Sequence, residues 1–264
     1  MRVRWLGHAS TVLDLWPAWA EAATRVLTDP LLRRHAGLLR RRGGAPEHAH
    51  WADPAAVLIS HLHYDHAELG SLALLPGVPL LSAPANARWL RGRQLRGVGL
   101  DHDWWSPAGS GVRIRTVAAV HADRPMPSRP NAAVGFLLVA DGMRVWFAGD
   151  TAPYPAMADL PAIAGGPIDL ALVPVGGWGP RLSGGHMDPR QAARAVAAVG
   201  ARVAVPVHWG TLHAPVSRSL PPGWMDEAGP AFAAAVHRET RATTVHVLAP
   251  GESVEVCVGG PTRR

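Results

Sequence analysis

The stretch VLISHLHYDHAEL, residues 57–69, decides how this chain is read. A short apolar run is followed at once by His61, His63, Asp65 and His66, four strong metal-ligand side chains within six positions. His61 and His63 stand two apart, so an extended chain projects them on one side. Asp65 and His66 follow where the strand is expected to turn into a helix near Ala67. A strand running into a helix can aim one pair at one ion and the other pair at a second. Neutral imidazole suits zinc and other borderline metals, and a carboxylate adds charge. A catalytic zinc takes about three protein ligands and keeps one position open. Two such ions therefore need further ligands from elsewhere in the chain.

Those ligands are sought at the ends of apolar runs. His121 closes RTVAAVH, Asp150 closes RVWFAGD and His208 closes VAVPVH. One histidine after a strand is ordinarily a hydrogen-bonded core or rim residue. Four sites with the same layout, one of them carrying four ligand types, point instead to a metal centre.

The rest of the chain reads as alternating strands and helices. Strands are expected at VRWL, TVLDL, TRVLTD and AAVLIS, then at GVRIRTVAAV, AAVGFLLVA and MRVWFAG, with Asp141-Gly142 as a hairpin turn. DLALVPV and ARVAVPVHWG read as later strands, and TTVHVLAP with SVEVCV as a closing pair. Helices are expected over residues 67–75, 84–93, 189–199 and 230–239, the third with Pro189 near its start. Strands recurring in both halves with helices between them favour sheets covered by helices. The stretches from Ala122 to Asn131 and from 176 to 189 read as loops around a site.

Composition sets the frame. The 264 residues suffice for one large domain, 1–264, with a sizeable core, and 48% are hydrophobic. No apolar run reaches the roughly 18 residues that span a bilayer, and MRVRWLGHAS lacks the apolar core of a signal peptide. The single cysteine, Cys257, excludes an internal disulfide framework, suits a reducing cytoplasm and reads as a strand residue. The formal charge is +6, and all 26 basic residues are arginine, as a GC-rich coding bias would give. The excess therefore calls for no nucleic-acid partner. Its densest cluster, Arg33, Arg34, Arg40, Arg41 and Arg42, reads as a solvated loop, with phosphate binding as the rarer alternative.

The order HLHYDH, His121, FAGDT, VHWGT resembles the metallo-β-lactamase-fold hydrolases. WLGHAST, LTDPLL and GGHMDPRQAA are similar to the branch that holds bacterial ascorbate-phosphate lactonase-like and N-acyl-phosphatidylethanolamine phospholipase D-like proteins. The resemblance runs from about residue 3 to residue 257. It implies an α/β fold, a four-layer αββα sandwich with a dinuclear metal site at one sheet edge. By motif, His61, His63 and His121 would hold the first ion, Asp65, His66 and His208 the second, and Asp150 would bridge them. The implied cofactors are two Zn²⁺, with Mn²⁺ or iron also able to fill such a site.

The expected activity is metal-dependent hydrolysis, a metal-bound hydroxide attacking a phosphodiester, phosphate ester or lactone, with Asp65 orienting it. The substrate is expected to be small and anionic or ester-like. His186, in SGGHMDP, would touch a substrate oxygen or donate a proton. His8 and Asp29 read as supports for the ligands, while the role of His213 stays open. Trp178 and Trp209 are candidates to line a cleft, and His102 with Trp104 and Trp105 reads as surface loop and packing. A nuclease on the same fold and a non-catalytic metal-binding module are the rival readings. A di-iron oxygen-handling relative would carry glutamate where His63 stands.

Overall fold

The computed structural model describes residues 1–121, 128–219 and 221–257. The first half runs β1 (Arg2–Gly7), β2 (Ser10–Leu15), β3 (Thr24–Thr28), β4 (His35–Ala36), β5 (Leu39–Arg41), α1 (His48–Trp51), β6 (Ala56–Leu58), α2 (Leu69–Leu72), β7 (Leu80–Ser82), α3 (Pro84–Arg91) and β8 (Gly97–Gly99). The second half runs β9 (Val112–Ala118), β10 (Val134–Ala140), β11 (Met143–Phe147), α4 (Leu160–Ala164), β12 (Leu170–Pro174), α5 (Pro189–Ala198), β13 (Val203–Val207), β14 (Leu212–His213), α6 (Trp224–Glu239), β15 (Thr244–Val245) and β16 (Ser253–Glu255).

Two large sheets form, β16-β1-β2-β3-β6-β7-β8 and β15-β13-β12-β11-β10-β9. Alternation explains how the first sheet serves two neighbours. Val3, Trp5, Leu13, Leu15, Val26, Leu58 and Leu81 join the core shared with the second sheet. Val12, Leu27, Val57 and Leu80 face the other way, into a separate core with Leu72 and Leu90 of α2 and α3. On the far side, α5 and α6 pack on each other and on β12 and β13. The order is thus helices, sheet, sheet, helices, the expected αββα arrangement. At Asp141-Gly142, φ of 45° and 80° marks the expected two-residue hairpin turn, pairing Ala140 with Met143. Asp188 caps α5 with a full capping box and Pro189 opens its first turn.

Several local expectations need correcting. TTVHVLAP and SVEVCV do not pair with each other. β15 joins β13 and β16 joins β1, because each large sheet has an open edge to satisfy. The helix expected over 67–75 is a single turn, Leu69–Leu72, started by the Glu68 carboxylate accepting from Gly70 and Ser71 N–H. β16 ends before Cys257, which is exposed. The arginine cluster is not a bare loop, since β4 and β5 form a hairpin whose Arg41 pairs in register with Leu212 of β14. Of the loop expected from Ala122 to Asn131, residues 122–127 lie outside the described residues. Among the described residues no helix is long and apolar enough to cross a membrane.

Candidate metal centre

Every motif residue sits just past the carboxyl end of a strand. His61 to His66 follow β6, His121 follows β9, Asp150 follows β11 and His208 follows β13, while Asp29 follows β3. In mixed α/β sheets this is the edge where ligands bind. After His61 the chain leaves the sheet and folds a turn on His63, whose carbonyl accepts from His66 and Ala67 N–H. The two sheets meet closely here. A Cβ on Gly149 (φ +61°) would fall 2.6 Å from Ser60 Cβ, so only glycine lets Asp150 approach the motif.

The motif residues form two clusters. His61, His63 and His121 present ring nitrogens to one another, with His63 Nδ1 2.9 Å from His61 Nε2 and 3.1 Å from His121 Nε2. Asp65, His66 and His208 form the second, with His208 Nε2 3.1 Å from His66 Nε2 and 3.5 Å from Asp65 Oδ2. Asp150 Oδ2 lies 3.2 Å from His66 and His208 and 4.0 Å from His61, and its Oδ1 is buried without a partner. Buried oxygens are almost always satisfied, so this one marks a place for a cation.

The outward nitrogens fix the tautomers. His61 Nδ1 faces Ser60 Oγ at 3.0 Å, His66 Nδ1 faces Asp29 Oδ2 at 2.7 Å, His121 Nδ1 faces the Gly185 carbonyl at 2.8 Å and His208 Nδ1 faces the Gly176 carbonyl at 2.9 Å. Ser60 Oγ itself donates to Asp29 Oδ2. Each Nδ1 therefore donates outward and leaves Nε2 aimed inward, the nitrogen that a metal-ligating histidine offers. His63 is the exception. Asn131 takes the Leu62 N–H on its oxygen and offers its own N–H to His63 Nε2 at 2.9 Å, which puts the ring proton on Nδ1. The donor set fits a pair of ions, with that proton and the inward proton of His66 to be displaced.

Charge follows the same logic. Burial drives His61 well below its ordinary value and His63 to about 4, so both are neutral. Burial alone would raise Asp65 and Asp150. The surrounding histidines outweigh it, His66 foremost at Asp65 and His208 and His66 at Asp150, and both carboxylates stay ionised. Against burial, Asp150, Asp65 and Asp29 raise His66 and keep it protonated. That proton supplies the positive charge that the two carboxylates demand.

The supports expected from sequence are where they were sought. Asp29 holds His66 directly and His61 through Ser60. His8 Nε2 donates to Asp65 Oδ2 at 2.9 Å, which excludes that nitrogen as a ligand despite its closeness. His8, Asp29 and His208 have φ of 54°, 32° and 62° without being glycine, a strain that persists where surroundings over-determine it. His186 joins the centre, with Nε2 3.1 Å from Asp150 Oδ2. His213 stands apart in β14, bonded to the Ala214 carbonyl. Trp209 is buried, stacks on Trp5 and lines a cavity of about 240 Å³, while Trp178 is exposed. Sequence reasoning missed Asn131 and Arg129. The buried Arg129 guanidinium ties the Leu62 and Ala67 carbonyls around the motif. The only sequence signal for either residue was its place in the stretch from Ala122 to Asn131, read as a loop around a site.

Comparison with known proteins agrees with this geometry. Residues 24–209 match the family described as beta-lactamase superfamily domain. An uncharacterised protein of Mycobacterium tuberculosis is 30% identical over the whole of this chain and 70% of its own length. A UPF0173 metal-dependent hydrolase of Symbiobacterium thermophilum is 28% identical over 96% of this chain and 99% of its own. In fold, the chain resembles Igni18, a metallo hydrolase from Ignicoccus hospitalis, with a TM-score of 0.72 and 19% identity over 96% of this chain and 97% of the other. The chain belongs to the β-lactamase superfamily, as a metal-dependent hydrolase of the metallo-β-lactamase fold.

Proposed function

We propose that the two clusters hold a pair of zinc ions and that the chain hydrolyses a small phosphodiester, phosphate ester or lactone. The observation that carries this reading is Asp150, a buried carboxylate that faces ring nitrogens of both clusters. His61, His63 and His121 would hold one ion, Asp65, His66 and His208 the other, with Asp150 between them. The imidazole and carboxylate donors suit zinc. When bound, such a pair activates water at neutral pH and polarises the oxygen of the bond to be cut. The choice of bond rests on the branch motifs, and the single cysteine suits work in the cytoplasm.

The chain's own residues do the rest. His8 pins one oxygen of Asp65, which keeps that carboxylate oriented. His186 is the proton donor. Its Nδ1 lies 3.1 Å from the Ser183 carbonyl and 3.2 Å from the Ser183 hydroxyl, and its Nε2 donates to Asp150 Oδ2 at 3.1 Å. Although burial opposes it, Asp150 raises His186 above its ordinary value. An imidazolium at the rim can deliver the Nε2 proton to a leaving oxygen.

The test offers the zinc-loaded protein a chromogenic phosphodiester, a phosphomonoester and a lactone in parallel, with His208→Ala as blank. Turnover of one class, absent from the blank, is expected. His186→Gln should keep its metals and lose turnover by about 10²–10⁴-fold. Unchanged kinetics in His186→Gln would remove it from the mechanism, and no turnover of any class with both ions bound would overturn the bond types.

A further inference from the structure

One member of the arginine cluster is neither solvated nor paired. Arg41 is only 8% exposed, and its Nη1 donates to the Leu31 carbonyl at 3.0 Å. No carboxylate among the described residues lies within ion-pair distance of it. Burial pulls its pKa down to about 10, with no acidic group acting to restore it. A buried charge is ordinarily paired. Arg41 lines a cavity of about 390 Å³, within the size range of small-molecule sites, together with Leu6, Arg42, Gly44, His50 and one carboxylate residue, Glu47. Its neighbours spend their charge locally, since Arg42 pairs with Asp226 at 2.7 Å and His50 lies 3.7 Å from Glu47.

The chain makes room for this guanidinium. A Cβ on Gly7 (φ +101°) would fall 2.6 Å from Arg41 Nη2. A Cβ on Gly44, which also lines the cavity, would meet nothing within 4 Å, so that position has room for a side chain.

We propose that this cavity is a second ligand site, separate from the metal centre, in which Arg41 binds the phosphate group of a small molecule or free phosphate. A guanidinium fork matches two phosphate oxygens, and the anion would supply the charge partner that the fold withholds. The cavity also adjoins the support of Asp65. Thr211 accepts the His8 N–H on its hydroxyl at 2.7 Å and the Arg42 N–H on its carbonyl at 2.7 Å.

Crystals of the metal-loaded protein soaked in selenate test this directly. An anomalous peak within hydrogen-bonding distance of the Arg41 guanidinium is expected, and selenate at the metal centre alone would overturn the proposal. In solution, inorganic phosphate titrated by calorimetry should show a class of sites that survives chelation of the metals. Arg41→Leu should abolish that class. Gly44→Glu, which adds a second carboxylate to the lining beside that of Glu47 and leaves Arg41 in place, should weaken it at least fivefold. Binding unaltered in Gly44→Glu and in a folded Arg41→Leu would refute the assignment. Glycerol 3-phosphate binding tenfold tighter than phosphate would identify a metabolite as the source, and equal binding would identify the free ion.

Discussion

The two halves of the candidate centre share imidazole donors, but only one carries a carboxylate of its own, and they behave differently. His61 is buried, but its companions His63 and His121 are less completely enclosed, and all three are imidazoles made neutral by burial. The Asp65, His66 and His208 half is buried throughout, and its carboxylate is kept ionised by a protonated His66. The first half offers lone pairs at the rim. The second offers an ionised carboxylate in a low-dielectric interior, where each charge counts for more. The buried half should therefore hold its ion more tightly, and the outer half should exchange first.

Asp150 is the residue through which the comparison breaks most completely, since it faces both halves. In Asp150→Ala, His186 loses the carboxylate that stabilises its charged form, and His66 keeps only Asp65 and Asp29; weakening the pairing of a buried charge is destabilising. Neither half should then retain a full equivalent of metal, and turnover should fall by more than the roughly 10–100-fold that outer supporting residues carry. Metal analysis beside kinetics decides it. Two retained ions with full turnover would mean that the halves are independent.

A smaller effect separates the halves without any metal. His8 belongs to the buried half only, and burial, with His208 adding to it, drives its pKa to about 3. Unfolded, it would titrate near 6.5. Between those values the unfolded chain binds a proton that the folded chain refuses. Stability from this residue is thus intact above pH 6.5 and is lost as pH falls toward 3. Chelated His8→Gln should lose less stability than chelated wild type across that window. Parallel urea midpoints for the two proteins would show that His8 titrates the same way folded and unfolded.

Residue types carried much of this architecture into the sequence. Candidate ligands at the ends of apolar runs were visible because a strand's hydrophobic alternation stops where a histidine or aspartate begins. His8 and Asp29 were visible as motif members, and the fold placed both against ligands. The carbonyls of Gly176 and Gly185 were not visible, because a backbone acceptor has no residue signature. Nor were β4, β5 and β14, whose two or three residues are too short to show a period. Burial of Arg41 was hidden for the same reason, since its partner strand lies 171 positions away at Leu212.

The finest difference between the halves is at Asn131. Four histidines turn a ring N–H toward an oxygen, but His63 receives an N–H from Asn131. An ion at His63 Nδ1 sends the ring proton to Nε2, where it meets another donor. Rotating the amide gives no relief, because the same side chain accepts from Leu62 N–H at 2.9 Å. Asn131 therefore opposes metal at the outer half while it anchors the motif loop. Asn131→Asp presents oxygen to both donors. Zinc affinity at the more weakly held site should then rise by about tenfold, the scale of one supporting hydrogen bond to a ligand histidine. The tightly held ion should change much less. Competition with a chelator of known affinity reads both constants. Equal tightening of the two ions would reduce the effect to added negative charge, and weakening of the outer ion would show that the Asn131 donor supports the ligand instead of opposing it.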